Sequence, residues 1–117
     1  MKDFKKLEVW QLGMDLVDMV FDLYEELPWQ KVAEYKDQAC RAAISIPANI
    51  AEGNSRRSEK DKLRFMEIAL GSAFELETLT LSAARRPWCP KEKTERILAL
   101  TDRVQKMLMG FMAKLNP

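Results

Sequence analysis

Two groups of basic residues are the side chains of this sequence best suited to contact a ligand. Arg56, Arg57, Lys60, Lys62 and Arg64 form one, and Arg85 and Arg86 with Trp88 form the other. Guanidinium and ammonium groups at this density can meet phosphates and displace counterions from a nucleic acid. An indole beside two arginines can stack on a base, although it can equally staple a turn onto the protein body. The plainer reading of such runs is solvated surface, partly paired here with Glu59, Asp61, Glu92 and Glu95. A third group, Arg41, Asn49, Glu52, Glu75 and Glu77, lies beside small residues where two helices could come close. It reads as a buried polar network that sets which helix faces which. A carboxylate site for a divalent metal, or for general acid–base work, is the alternative.

Other chemistry is excluded by what the chain lacks. It contains no histidine, which removes Ser-His-Asp and Cys-His nucleophiles, His-ligated metals and imidazole acid–base catalysis. Cys40 and Cys89 have no CxxC spacing and no imidazole to activate them, so they read as small packing residues in a reducing cytoplasm. No GxxxxGK or GxGxxG phosphate loop occurs. The sequence is therefore expected to be non-enzymatic, with no cofactor and no bound metal. No apolar run approaches the ~20 residues that span a bilayer, and the N-terminus lacks the apolar core of a signal peptide.

The net charge of +1 names no partner, but its distribution is uneven. Residues 7–27 hold six acids and no Lys or Arg, leaving +7 on the remainder. Repeated around a closed oligomer, either basic group would become a positive annulus.

The elements that must place these residues are four helical segments in one domain, residues 1–117. The 47% hydrophobic and 32% charged composition of 117 residues is that of a folded, single-core chain. Segment 7–27 carries Leu7, Trp10, Met14, Val17, Phe21 and Tyr24 at the 3-4 spacing of a bundle seam. A second apolar row, including Val9, Leu12, Leu16, Val20 and Leu23, flanks that seam. So much apolar surface implies more than one buried side, hence a contact between subunits. Segment 32–55 has small residues at Ala39, Ala42, Ala43 and Gly53, and Pro47 inside it predicts a kink. Ser58 three residues before Asp61 resembles a capping box opening segment 59–84. Its core row is Phe65, Met66, Ala69, Leu70, Ala73, Leu76 and Leu79, and Gly71-Ser72 offers a second close approach. Segment 90–115 begins at Pro90 and carries the seam Ile97, Leu100, Val104, Met107 and Phe111. The expected fold is all-α, an up-down antiparallel four-helix bundle. Its connections would place the turn between the second and third helices at the end of both termini, with Lys2, Lys5, Lys6 and Lys114.

Leu7-Glu8-Val9-Trp10-Gln11, Gln38 through Ala43, Ser45-Ile46-Pro47-Ala48-Asn49-Ile50-Ala51-Glu52-Gly53 and Gly71-Ser72 with Glu75-Leu76-Glu77-Thr78 resemble the four-helix-bundle family encoded by intervening sequences in bacterial 23S ribosomal RNA genes. The resemblance spans nearly the whole chain. It implies a ring-forming homo-oligomer, typically a pentamer, and kinship with the accessory protein of diversity-generating retroelements, which binds nucleic acid and a reverse transcriptase. Arg85-Arg86-Pro87-Trp88 stands where the family usually has a Gly-Tyr-containing turn. The function expected is an oligomeric cytoplasmic scaffold or adaptor that binds RNA or DNA through its basic ends, with a reverse transcriptase or ribosomal component as protein partner and no membrane. Two alternatives stand beside it. One is a protein–protein module with no nucleic-acid ligand, and the other is a carboxylate metal enzyme.

Overall fold

The computed structural model describes residues 3–117. A single 3-10 turn, Phe4–Lys6, leads into four helices: α1 (Glu8–Glu25), α2 (Trp29–Asn54), α3 (Glu59–Ala84) and α4 (Lys91–Ala113). α1 packs on α2 and α4, and α3 packs on the same two. Neighbours in sequence are thus neighbours in space, as short connections dictate, and the body measures 46 × 20 × 19 Å.

Local chemistry sets the helix ends. Ser58 Oγ accepts from the Asp61 backbone N–H at 3.1 Å, satisfying one of the donors that a first turn leaves unbonded. α2 starts at Trp29, three residues ahead of the expected Val32, because Pro28 can open a helix as well as close one. Its fixed φ of −57° orients the chain, and its carbonyl accepts from Lys31 N–H at 3.0 Å. Pro90 likewise stands at the N-cap and not inside α4, with its carbonyl accepting from Thr94 N–H at 3.3 Å.

α2 runs unbroken through the buried Pro47. The ring is accommodated across the α1–α2 interface by Gly13, where a Cβ would sit 3.4 Å from both Pro47 Cβ and Cδ. The innermost row of α1 is Val9, Gly13, Leu16, Val20, Leu23 and Tyr24. Of the expected seam only Tyr24 is buried; Leu7, Trp10, Val17 and Phe21 are half-buried and Met14 is 40% exposed. Two adjacent apolar rows have the same period, and periodicity cannot rank them.

α3 buries Phe65, Met66, Ala69, Ala73 and Leu76 as expected, with Leu70 and Leu79 half-buried at its margins. In α4 the inner row is Thr94, Ile97, Thr101, Val104 and Leu108, while Leu100, Met107 and Phe111 are half-buried. Threonine can line a core here because Thr101 Oγ1 donates to the Ile97 carbonyl at 2.6 Å and Thr94 Oγ1 to the Lys91 carbonyl at 2.8 Å, which leaves the methyl groups to pack. Among the described residues, no helix is long and apolar enough to cross a membrane.

Candidate nucleic-acid interface

The Asn116 backbone N–H donates to Glu59 Oε2 at 3.0 Å, so the C-terminus and the start of α3 share one end of the body. Arg56 and Arg57 lie in the α2–α3 connection, and Lys60, Lys62 and Arg64 lie in the first turns of α3. Arg85, Arg86 and Trp88 lie in the α3–α4 connection, at the other end of the 46 Å axis. The eight candidates therefore form two separate surfaces. Lys2, expected with the first, lies outside the described residues.

The first surface has an internal order that spacing did not suggest. The guanidinium carbon of Arg56 lies 4.7 Å from the centroid of the Phe65 ring, and that of Arg64 lies 4.9 Å from it. A cation held near an aromatic face is attracted by the ring quadrupole, by about 0.5–1 kcal/mol at exposed sites. Phe65 is only 8% exposed and is positioned by a tight contact with α2. A Cβ on Gly53 would fall 2.9 Å from Phe65 Cβ and 2.7 Å from Met66 Cε. No described glycine has a positive φ, so close helix approach, and not backbone conformation, requires glycine there. The available sequence signal was Arg64 directly preceding a core aromatic.

Charge pairing differs between the body and the ends. Along the helices Arg41 pairs with Asp37 at 3.4 Å, Arg96 with Glu92 at 2.8 Å, Arg103 with Glu8 at 2.8 Å and Lys106 with Asp102 at 3.0 Å. Such exposed pairs contribute about 0–1 kcal/mol each, and their main effect is to neutralise the flanks. Arg57, Lys60, Lys62, Arg64, Arg85 and Arg86 form no ion pair with any described residue, and Arg56 approaches Glu52 only at 3.8 Å. Positive charge is therefore left uncompensated at the ends. The second end is the more acidic, because α1 finishes there with Asp22, Glu25 and Glu26; Glu26 Oε2 accepts from Lys93 Nζ.

Trp88 is half-buried with its ring edge-on to Tyr35, centroids 5.8 Å apart at 68°. Tyr35 and Ser82 share a hydroxyl hydrogen bond of 2.7 Å. The indole thus staples the α3–α4 connection to α2.

The polar network expected of Arg41, Asn49, Glu52, Glu75 and Glu77 does not assemble. Arg41, Glu52 and Glu75 are exposed. Asn49 donates to Ser45 within its own helix, at 2.8 Å to the carbonyl and 3.0 Å to Oγ. Only Glu77 crosses between helices, accepting from Gln105 Nε2 at 3.0 Å. The five share a polar face in sequence but point to different sides of the bundle. Cross-helix polar contacts are made instead by Ser45 with Ser72 at 2.7 Å, and by Gln105, which also approaches the Ala73 carbonyl at 3.5 Å. Glu52, Glu75 and Glu77 accordingly do not converge on a metal site, and among the described residues no group of three or more Cys, Asp or Glu gathers to hold one.

Cys40 and Cys89 are buried and not disulfide-bonded. Burial pushes both thiols up from their ordinary range, opposed in part by Lys36 at Cys40 and by Lys91 at Cys89, so at neutral pH they are packing groups and not thiolates.

Two apolar flanks complete the surface. On α1 and α2, Met14, Ile44 and the 69%-exposed Trp29 are open, and Phe21, Trp29, Ala33, Cys40 and Ile44 line a shallow groove. On α3 and α4, Phe74, Leu81 and Met109 are open. Gly71, expected at a close approach, has no atom within 4 Å of where its Cβ would be, and neither has Gly110. Only Ser72 of the Gly71-Ser72 pair meets α2.

These features define a small all-α domain of the four-helix-bundle class. Residues 5–110 match the 23S rRNA-intervening sequence proteins, and the chain belongs to that family. A solved structure similar to it is a protein of unknown function from the S23 ribosomal protein family of Bacteroides thetaiotaomicron VPI-5482. It is 26% identical with a TM-score of 0.79, over 89% of this chain and 97% of that one. No curated protein matches the chain.

Proposed function

We propose that this chain is a non-enzymatic, homo-oligomeric scaffold that binds RNA or DNA through its basic ends in the reducing cytoplasm. The observation that carries the reading is the contrast in charge pairing: Arg41, Arg96 and Arg103 along the body meet carboxylates, whereas in the two helix connections Arg57, Arg85 and Arg86 pair with no described carboxylate and Arg56 reaches Glu52 only at 3.8 Å. A ring of copies multiplies a few phosphate contacts per subunit by avidity, without new chemistry. The open flanks of α1–α2 and α3–α4 support self-association, because two different apolar surfaces on one chain suit the head-to-tail contacts that close rings. A pentamer is the form the family resemblance favours. The same α1–α2 groove also suits a protein ligand, such as a reverse transcriptase or ribosomal component, and that is the second reading.

Light scattering coupled to gel filtration, with filter binding of RNA and DNA at two salt concentrations, tests both halves. The expected result is an oligomer that retains nucleic acid at low salt and releases it steeply as salt rises. Trp29→Ser with Ile44→Ser is expected to reduce the assembly to smaller species. A stable monomer at all concentrations would refute the scaffold. An oligomer with no nucleic-acid retention at low salt would leave only the protein-binding reading.

A further inference from the structure

Resting on that reading but narrowing its two basic ends to one, we infer that the phosphate-binding surface is the α2–α3 end alone, that Arg85 and Arg86 take no part in it, and that its working part is the pair Arg56 and Arg64 held against Phe65. The two ends carry similar numbers of basic residues but differ in physical order. Arg56, from the α2–α3 connection, and Arg64, from the second turn of α3, converge on one ring at 4.7 and 4.9 Å, and the Glu52 carboxylate stands 3.8 Å from the Arg56 guanidinium, too far for a hydrogen bond. That ring is locked in place because Gly53 lets α2 close onto it.

A guanidinium resting on an aromatic face keeps its N–H edge for acceptors, and its planar fork suits phosphate oxygens. Anchoring on Phe65 reduces the side-chain freedom that a long surface residue otherwise loses on binding. Two forks on one ring are close enough to meet a single stretch of backbone, and Arg57 and Lys60 flank them in the chain. At the opposite end Arg85 and Arg86 rest on no ring among the described residues; the aromatic there, Trp88, is taken up by Tyr35. The acids that finish α1, with Glu92 and Glu95, offset the charge at that end. The ligand chemistry is a phosphodiester backbone, from a single strand or a duplex.

The test measures binding of a fluorescein-labelled 20-nucleotide single-stranded RNA, and of a duplex DNA of the same length, by anisotropy across a salt series. The full-length chain is compared with Arg56→Gln/Arg64→Gln, Arg56→Lys/Arg64→Lys, Phe65→Leu and Arg85→Gln/Arg86→Gln. Loss of two phosphate contacts is expected to reduce the steepness of log affinity against log salt by about 1.4 for the single strand and about 1.8 for the duplex, and affinity at low salt by tenfold or more. The lysine pair keeps the net charge but loses the planar fork, so its affinity is expected to fall severalfold. Phe65→Leu, measured well below its own thermal midpoint, is expected to lose about two- to fivefold. Arg85→Gln/Arg86→Gln is expected to stay within twofold of the parent. A loss at Arg85 and Arg86 equal to that at Arg56 and Arg64 would overturn the assignment to one end while leaving nucleic-acid binding intact. A lysine pair that binds like the parent would overturn the ring-held fork. No binding by the parent at low salt would remove the underlying reading itself.

Discussion

Adding one methyl group at Gly53 should destabilise the bundle, although glycine to alanine inside a helix ordinarily does the opposite. Alanine is favoured over glycine in a helix interior by about 0.8–1.0 kcal/mol, and neither Gly53 nor Gly13 has a positive φ to lose. At Gly53 the new Cβ would lie 2.9 Å from Phe65 Cβ and 2.7 Å from Met66 Cε. The methionine tip can swing away, but Phe65 Cβ is fixed to the α3 backbone, so the helices must part locally. Overpacking of this kind costs about 1–3 kcal/mol. At Gly13 the nearest atoms, on Pro47, stand at 3.4 Å, which is ordinary contact. Gly13→Ala is therefore expected to be neutral or mildly stabilising. Because the propensity gain enters both variants, their difference isolates the packing effect at about 1–3 kcal/mol. With a urea dependence of about 2 kcal/mol/M, the middle of the range for small domains, that corresponds to midpoints roughly 0.5–1.5 M apart. Equilibrium urea unfolding followed by circular dichroism reads this directly. If the two variants agree within about 0.3 M, the close approach at the end of α2 does not exist as described, and the positioning of Phe65 loses its basis.

Three further outcomes follow from the interior. The Tyr24 hydroxyl is buried without a hydrogen-bond partner among the described residues, so Tyr24→Phe is expected to leave stability unchanged or raise it by up to about 1 kcal/mol; a loss above that, by thermal unfolding, would show the hydroxyl is satisfied. Gln105→Ala removes the bond to Glu77 from a nearly closed site and should cost about 1–3 kcal/mol, against no measurable change for exposed Glu75→Ala. Burial raises the pKa of Tyr24, Cys40 and Cys89 in the folded chain, against the opposing charges of Lys36 at Cys40 and Lys91 at Cys89. Each therefore keeps its proton longer when folded, so the associated stability is intact below the unfolded thiol value of about 8.5 and declines as pH rises above it. Urea midpoints at pH 7, 9 and 10 should fall in that order, and less steeply in Cys40→Ala/Cys89→Ala; an unchanged slope would show that the thiols are not the titrating groups.

The four helices were legible because the chain marks them with strong signals. Pro28 and Pro90, and the Ser58 cap, sit at boundaries, and α3 begins and ends at the expected residues, Glu59 and Ala84. The rotation of α1 was not legible. Its two apolar rows differ by a small angle about the axis, and the choice between them rests on packing across the interface with α2, where Gly13 lies over Ile46 and Pro47. The candidate site divides the same way. That Arg56, Arg57, Lys60, Lys62 and Arg64 share one end follows from connectivity, which short loops fix. That two of them rest on Phe65 depends on side-chain direction across an interface, and periodicity carries no information about it.

The misassigned α1 row also bears on assembly. Trp10, Val17 and Phe21 pack only partly against the monomer core and Met14 stays exposed, because α1 turns Val9, Leu16, Val20 and Leu23 inward instead. The adjoining surface of α2 adds Trp29, Ala33 and Ile44, interspersed with Lys36, Asp37 and Arg41. A lone amphipathic helix needs one apolar row and α1 has two, while its acids are confined to the remaining side. Open apolar side chains such as Trp29, Met14 and Ile44 are unfavourable in water, at about 25 cal/mol for each Å² of apolar surface, and a patch of them marks a contact surface more often than an accident of composition. The basic end and the apolar flank therefore make separable demands on the chain. Substitutions at Arg56 and Arg64 are expected to change nucleic-acid affinity with the oligomer intact. Trp29→Ser and Ile44→Ser are expected to dissociate the oligomer first and to weaken nucleic-acid binding only through lost avidity. Sedimentation and anisotropy on the same samples distinguish the two, and a variant of the basic end that also dissolved the oligomer would contradict this separation.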